Sequence, residues 1–498
     1  MQAVLTCAQM RAADKHTIED LGVPSEALME RAGAAIAEEA EKLLRACGGK
    51  KVLAVCGGGN NGGDGWCAAR LLSGRGFETA AYTFAEKFSA DCAAQRKKYG
   101  GKVYASLPEE KFDLVIDAVF GTGFRGTPEG DAAAAIAYIN ASGAKVVSAD
   151  IPSGLNGDSG AAALCVRADL TVAVGELKRG LLLGNGADVC GKIVRRDIGI
   201  SLPQPADAAL WEGEDAASLF PPRKKNTNKG SFGRAVILAG SAAYSGAPLL
   251  SCAAALRGGC GYTQLAVPSE LFPHCVGKFP EAILTAAPSA GGALAFDEAF
   301  LRTLLKAESI AFGMGCGVSR EVYRIARFLL SEYGGTLILD ADALNSLAEY
   351  GVGALKGHTG GVLLTPHPKE FSRLCRKDLS EVLGSGADLA KGFAAEYGVA
   401  VLLKGHVSSV TDGSSTFYTA SGTPALAKGG SGDVLSGIAA AIAARGFSPL
   451  QAGAGASYLL GSAGSIAAAR QGNEYSVTAS DVVAALPAAI ARLSAEGD

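Results

Sequence analysis

Four glycine-rich segments of the chain carry Asp, Asn, Ser or Lys at positions suited to holding phosphates and moving a proton beside them. The first is GGGNNGGDG at 57–65, behind the apolar run 52–56 and ahead of an apolar helical stretch. A glycine loop between a strand and a helix lets backbone amides approach a phosphate, and the helix N-terminus favours its charge. Its spacing is not the G-x-G-x-x-G of dinucleotide folds, and alone it is as readily a tight turn. DAVFGTGFRG at 117–126 and DIPSGL at 150–155 each follow another β-rich run. The three loops would then share the carboxyl ends of neighbouring parallel strands, where open α/β sheets bind ligands. One Asp at a strand end commonly caps a helix or holds a turn, but three converging loops argue for a site.

The fourth segment, AKGGSGDVLSG at 427–437, opens a long apolar helix. Its glycines suit an anion-binding nest at the positive helix end, and Asp433 is placed to take a proton from a hydroxyl being phosphorylated. The bland alternative is close helix packing with Asp433 as an N-cap.

Two stretches of alternating strands and helices are needed to position these segments. From 51 to about 200, β-rich runs at 52–56, 112–120, 145–149 and 170–174 alternate with helical ones, as in parallel βαβ units, behind a helix at 25–45 that starts at Pro24 and Ser25. Between 201 and 228 the composition shifts to Pro, Asp and Lys, with Pro203, Pro205, Pro221 and Pro222 interrupting regular structure. This is the expected boundary: a domain at 1–205, a linker at 206–222 and a domain at 223–498. Beyond it strands are expected at 234–239, 263–267, 309–312, 337–340, 361–364 and 399–403, with a closing helix at 432–444.

The chain has 498 residues, more than one core usually supports, and 48% of them are hydrophobic against 19% charged, the balance of globular α/β layers. The formal net charge of -3 leaves no nucleic-acid footprint, and Arg223, Lys224 and Lys225 read as a solvated linker. No leader-like start and no run of 18 apolar residues is present, so a cytoplasmic protein without a membrane partner is expected. The 12 cysteines fall singly in apolar stretches, without zinc spacing, and read as buried reduced thiols.

The trio GGGNNGGDG, DAVFGTGFRG and DIPSGLNGDSG resembles the NAD(P)H-hydrate epimerase family, over about 5–200. The resemblance implies a Rossmann-like three-layer domain that binds the hydrated cofactor through Asn60, Asn61, Gly62, Gly63 and Asp64 and through Gly121, Thr122, Gly123, Phe124, Arg125, Gly126 and Thr127. It also implies a potassium ion on Asn61, Asp117 and Ser153, oxygen donors of the kind a hard cation takes. Asp150 is then the acid/base candidate, since epimerisation at carbon 6 of the ring needs a hydroxyl to leave and return.

The Gly-Ser-Gly-Asp segment is similar to the ribokinase-like fold, and the surrounding pieces narrow it to the ADP/ATP-dependent NAD(P)H-hydrate dehydratase branch, over about 223–495. Those pieces are NKGSFG at 228–233, AGS at 239–241, YSGA at 244–247, GMGCG at 313–317, DADALN at 340–345, TPHP at 365–368 and LKG at 403–405. By that likeness Ala247, Gly315, His367 and Asp433 face the hydrate, and Lys404, Gly405, His406, Val407, Ser408 and Gly432 face the adenine nucleotide. His367, between two prolines, has the fixed backbone of a ligand contact, whereas the side chains of the other four, His16, His274, His358 and His406, read as structural or surface groups. The implied chemistry is phosphorylation of the ring hydroxyl by ADP (ATP also considered) with Mg2+, then elimination of phosphate. Asn228, Lys369 and Ser431 stand where relatives usually carry His, Gly and Thr, and none removes a group with an evident chemical role.

The whole is expected to be a homo-oligomeric metabolite-repair enzyme, both an isomerase and a lyase, acting on small molecules. One rival keeps the second half as a kinase for another small molecule, since the fold serves those reactions too. Another treats the first half as a non-catalytic binding module, against which the retention of Asn61, Asp117, Asp150 and Ser153 speaks.

Overall fold

The structure is a computed structural model that describes residues 1–495, and it contains two compact units, one spanning Gln2–Ala206 and the other running from Asp207 onward. The first is built on β1 (Lys51–Cys56), β2 (Glu78–Tyr82), β3 (Lys102–Tyr104), β4 (Leu114–Ala118), β5 (Lys145–Ala149), β6 (Leu170–Val174) and β7 (Lys192–Arg196). They form one sheet in the order β3-β2-β1-β4-β5-β6-β7, with every neighbour parallel. Alternation along β1 explains the layers: Val52 and Ala54 pack with Ile36, Leu44 and Trp66 on one face, Leu53 and Val55 with Ile136 and Ile139 on the other. The strand order reverses between β1 and β4, the switch point at which such sheets open a crevice.

The second unit is built on β8 (Ala208–Leu210), β9 (Arg234–Leu238), β10 (Tyr262–Pro268), β11 (Ile283–Ala287), β12 (Ser309–Phe312), β13 (Thr336–Leu339), β14 (Gly361–Leu364), β15 (Ala400–Leu403), β16 (Ser408–Thr411) and β17 (Thr416–Thr419). Their order is β11-β10-β9-β12-β13-β14-β15-β16-β17-β8. Pairing is parallel from β11 to β15 and antiparallel at β15-β16-β17. Ala235 and Ile237 pack under the helices Ser431–Ala444 and Pro449–Gln471, while Val236 and Leu238 pack under Arg320–Glu332.

Several expectations need correction. The strand expected at 112–120 is only Leu114–Ala118, because the flanking residues turn into loops. The helix at Ser431–Ala444 does not close the fold: Pro449–Gln471 and Ala479–Ala495 follow, and the Ala/Gly-rich faces of the first of these are too evenly apolar to show a helical stripe. Residues 206–222 are no bare linker. Ala208–Leu210 pairs with β17, and Trp211 and Leu219 are buried in the core of the second unit. All 12 cysteines are free, but Cys47 is exposed.

The glycine loop also has a packing role. A Cβ on Gly62 would stand 2.0 Å from the carbonyl oxygen of Gly57, and one on Gly65 2.5 Å from Ala118 Cβ, so the helix Asn60–Gly74 can lie this close to β1 and β4 only without side chains there. Gly62→Ala is therefore expected to destabilise the first unit by about 1–3 kcal/mol, the usual range for overpacking. An unchanged melting temperature of that unit would show the contact to be soft.

Candidate active sites

In the first unit a cavity of about 760 Å³ opens at the switch point, lined by Asn60, Asn61, Asp64, Gly121, Thr122, Gly123, Phe124, Arg125 and Asp150 among others. Of the residues expected here, Gly62 and Gly63 are instead buried in helix packing, and Gly126 and Thr127 are not on the wall. Phe120 and Phe124 stack with centroids 4.6 Å apart on that wall, an apolar surface suited to a flat ring.

Asp150 follows β5 with φ at 68°, a left-handed conformation uncommon outside glycine, fixed by a hydrogen bond from its backbone N–H to the carbonyl of Val172 at 2.9 Å. Its Oδ1 accepts from Val174 N–H at 3.2 Å and from the ammonium of Lys178, which also donates to Val174 O at 2.5 Å. Lys178 is only 1% exposed, so this is a buried ion pair facing the cavity. Sequence reasoning missed Lys178; the signal was a lysine directly beyond an apolar strand in VAVGELK, charge where burial was expected.

Beside it lies a set of oxygens. Asp117 is fully buried at the end of β4, its Oδ2 accepting from Ser148 Oγ and from Ser153 N–H, both at 2.8 Å. Burial pushes this carboxyl up, against the hydrogen bonds from Ser153 that favour its ionised form. Asn61 donates through Nδ2 to Phe120 O at 2.7 Å, while its buried Oδ1 has no hydrogen-bond partner among the described residues. Ser153 Oγ accepts from Phe120 N–H at 2.9 Å. A buried carboxylate and an orphaned amide oxygen joined through Phe120 and Ser153 have the donor chemistry of a hard-cation site. Asp64 and Asp14 also reach the cavity: burial pushes Asp64 well above the ordinary carboxyl range and Asp14 up to about 6.

In the second unit Lys404, at the end of β15, donates from Nζ to Asp340 Oδ1 at 2.8 Å. Asp340 is buried and also accepts from Ser436 Oγ at 2.8 Å and Ala341 N–H at 2.9 Å. The first turn of Ser431–Ala444 faces this pair, since a Cβ on Gly432 would stand 3.5 Å from Lys404 Nζ. Burial alone would lower the Lys404 ammonium, but Asp340 and Glu370 outweigh it and hold it above its ordinary value. Burial, with Asp340 adding and Lys404 opposing, pushes Asp433 up to about 6.

A cavity of about 160 Å³ adjoins, lined by Lys404, Gly405, His406, Ser408, Ser431 and Gly432, but not by Val407. Sequence reasoning missed Thr419, Ser457 and Leu460 on its wall; they come from an antiparallel strand and a helix it did not place. Ala247, Gly315, His367 and Asp433 lie off this wall. Ala247 and Gly315 adjoin, as a Cβ on Gly315 would stand 3.1 Å from that of Ala247. His367 caps the helix Pro368–Cys375, its Nδ1 accepting from Lys369 N–H at 3.1 Å and Glu370 N–H at 3.2 Å. Burial and the nearby Lys404 charge lower the imidazole, so the ring is neutral at pH 7 with its proton on Nε2.

The family model described as NAD(P)H-hydrate dehydratase matches residues 235–488, and the model described as YjeF-related protein N-terminus matches 25–180. The bifunctional NAD(P)H-hydrate repair enzyme Nnr of Thermofilum pendens is 34% identical over 420 residues, covering 81% of this chain and 80% of its own. That of Pyrobaculum aerophilum is 36% identical over 428 residues, covering 82% and 83%. A ribokinase-like superfamily protein from Enterococcus faecalis V583 shares the fold, with a TM-score of 0.50 and 23% identity over 58% of this chain and 98% of its own. The two matched ranges contain Asp150 and the Asp433 helix, and the likeness runs across four fifths of both chains: this chain belongs to the bifunctional NAD(P)H-hydrate repair enzymes.

Proposed function

We propose that the chain restores hydrated NADH and NADPH in two reactions, the first unit interconverting the R and S hydrates and the second dehydrating the S hydrate at the expense of an adenine nucleotide. The observation that carries this is the pairing, in one chain, of a cavity holding the Lys178–Asp150 ion pair with a Gly-Asp helix end set against Lys404 and Asp340.

In the first unit the hydrated ring lies against Phe120 and Phe124 with carbon 6 toward Asp150, while Arg125 offers charge to the phosphates. The oxygens of Asn61, Asp117 and Ser153 fit a potassium ion, since Asn61 Oδ1 is buried without a partner among the described residues. Such an ion supplies fixed positive charge beside the phosphate-binding loop.

In the second unit Asp433 takes the proton of the ring hydroxyl as it is phosphorylated, and Lys404 with the 429–432 glycines offsets charge on the transferring group. ADP, as its magnesium complex, enters the cavity beside Lys404, Gly405, His406 and Ser408, with ATP as the other candidate. His367, whose Nε2 lies 3.4 Å from Glu370 Oε1, contacts the hydrate from the helix it caps. Elimination of phosphate then regenerates the reduced nicotinamide.

The test is recovery of the reduced-nicotinamide absorbance from a mixed-epimer NADH hydrate with magnesium and ADP or ATP. Recovery should be complete for the parent chain and stop at one epimer's share for Asp150→Asn. No recovery with either nucleotide would return the second unit to a kinase for another small molecule.

A further inference from the structure

The N-terminal helix contributes a wall of the first cavity. Cys7–Lys15 is capped by Thr6, whose side chain accepts from Gln9 N–H, and it turns Met10, Arg11 and Asp14 into the cavity, with Ile18 one turn further on. This spacing puts all four on one helix face. Residues 2–5 form a strand parallel to Leu177–Lys178, with Leu5 opposite Lys178, so the segment leading into the helix is registered on the lysine that holds Asp150. At the other side Arg11 donates to Thr122 O at 3.1 Å, joining the helix to the loop that lines the cavity. The helix precedes the range matched by the N-terminal family model, 25–180.

Epimerisation puts a particular demand on this cavity. The two hydrates carry the hydroxyl on opposite faces of the ring, so a proton must be supplied on one face and removed on the other. Asp150 Oδ1 accepts from Lys178 and from Val174 N–H, which fixes its carboxyl at the cavity as the accepting partner. Asp14 makes no hydrogen bond or ion pair among the described residues, so its carboxyl is unspent and turned to the same space. We propose that Asp14 is the second proton-transfer residue of the epimerase, donating to the carbon 6 hydroxyl as it leaves.

The step balances without a co-reactant. Asp14 gives its proton to the hydroxyl, the C6–O bond breaks with its electron pair leaving as water, and the ring nitrogen's lone pair forms a double bond to carbon 6. Water then adds to the opposite face, forming the new C–O bond, and its proton passes to Asp150. The enzyme left with Asp14 ionised and Asp150 protonated is the form competent for the reverse reaction.

The surroundings set the proton's availability. Lys178 and Asp150 face Asp14 from the sheet side, Asp64 from the helix Asn60–Gly74, and Arg11 lies one turn away on its own helix. Burial outweighs Lys178 and pushes Asp14 up to about 6, so a useful fraction is protonated near neutrality. Burial, with the charges of Asp150 and Asp14 adding, pushes Asp64 well above the ordinary carboxyl range.

The proposal rests on the epimerase reading, and the experiment separates the two. A single purified epimer of NADH hydrate is given to the full chain without nucleotide, and appearance of the other epimer is followed by chromatography between about pH 5 and 8. The parent's kcat should fall as pH rises through about 6, because the donor must be protonated. Asp14→Asn should lower kcat by ~10²-fold or more, with KM within about threefold and no such fall with pH, while Asp14→Glu recovers part of the rate. Nucleotide-dependent dehydration of the S hydrate by the same variants should be unchanged, since that chemistry sits in the other unit. An Asp14→Asn rate within about threefold of the parent, or a parent kcat flat across this pH range, overturns the role of Asp14. A parent that does not epimerise at all overturns the epimerase reading itself.

Discussion

Asp433→Asn in the full chain is expected to cut nucleotide-dependent dehydration by ~10²–10⁴-fold, the usual contribution of a positioned general base, and to leave epimerisation unchanged. The asparagine keeps the size of the side chain and leaves the Ser251 Oγ hydrogen bond to the residue 433 carbonyl, at 2.9 Å, in place. It removes only the ability to take a proton. The pH dependence gives the sharper reading. Asp433 must be ionised to act, and burial holds its folded pKa at about 6, above the ordinary 3.8. Dehydration by the parent should therefore fall as pH drops through about 6, roughly tenfold per unit below it. The same shift makes the ionised carboxyl a burden on the fold: that part of the stability is fully present below 3.8 and lost as pH rises through about 6. Asp433→Asn should thus be at least as stable as the parent at pH 7, so the activity loss is not unfolding. A variant that dehydrates at the parent's rate would remove Asp433 from the chemistry.

Lys178→Met should have the largest effect on the first unit. The ammonium is 1% exposed and bonded to both Asp150 Oδ1 and Val174 O, so replacing it leaves a buried carboxylate and a buried carbonyl without their donor. Breaking one side of a buried pair typically costs about 3–5 kcal/mol. Epimerisation should fall at least ~10²-fold, because Asp150 loses the partner that holds its carboxyl in place at the cavity. Calorimetry should show the melting of the first unit lowered, with the second unit's transition unmoved. Equal melting temperatures together with retained epimerisation would mean that the pair is neither structural nor chemical.

How far these sites could be read in advance depended on the kind of element that carries each residue. Asp117, Asp150 and Asp433 stand where a local pattern changes, from an apolar strand to a polar glycine loop or from such a loop to an apolar helix, and such changes are visible within ten residues. Asp14 and Arg11 had no such marker, because what makes them notable is burial or a neighbour more than 100 positions away, and Lys178 showed only as a charge beyond an apolar strand. Val407 and Gly63 failed in the opposite way: their loops were read correctly, but side-chain direction and helix packing turned them from the cavity walls. The short strands β2, β3, β7 and β8 were missed because they are edge or near-edge strands, whose half-exposed residues lack the continuous apolar run of a buried parallel strand.

By itself the sequence determined two α/β units, the glycine loops at their strand ends and the acidic residues within them, since strand and helix periods and turn chemistry act over a few residues. The tertiary structure alone decided which of those residues meet. It placed Lys178 against Asp150, turned the N-terminal helix into a cavity wall, left Asn61 Oδ1 without a partner and made 206–222 part of a core. Burial and long-range charge set the proton affinities of Asp14, Asp64 and Asp433, and neither is a property of any local segment.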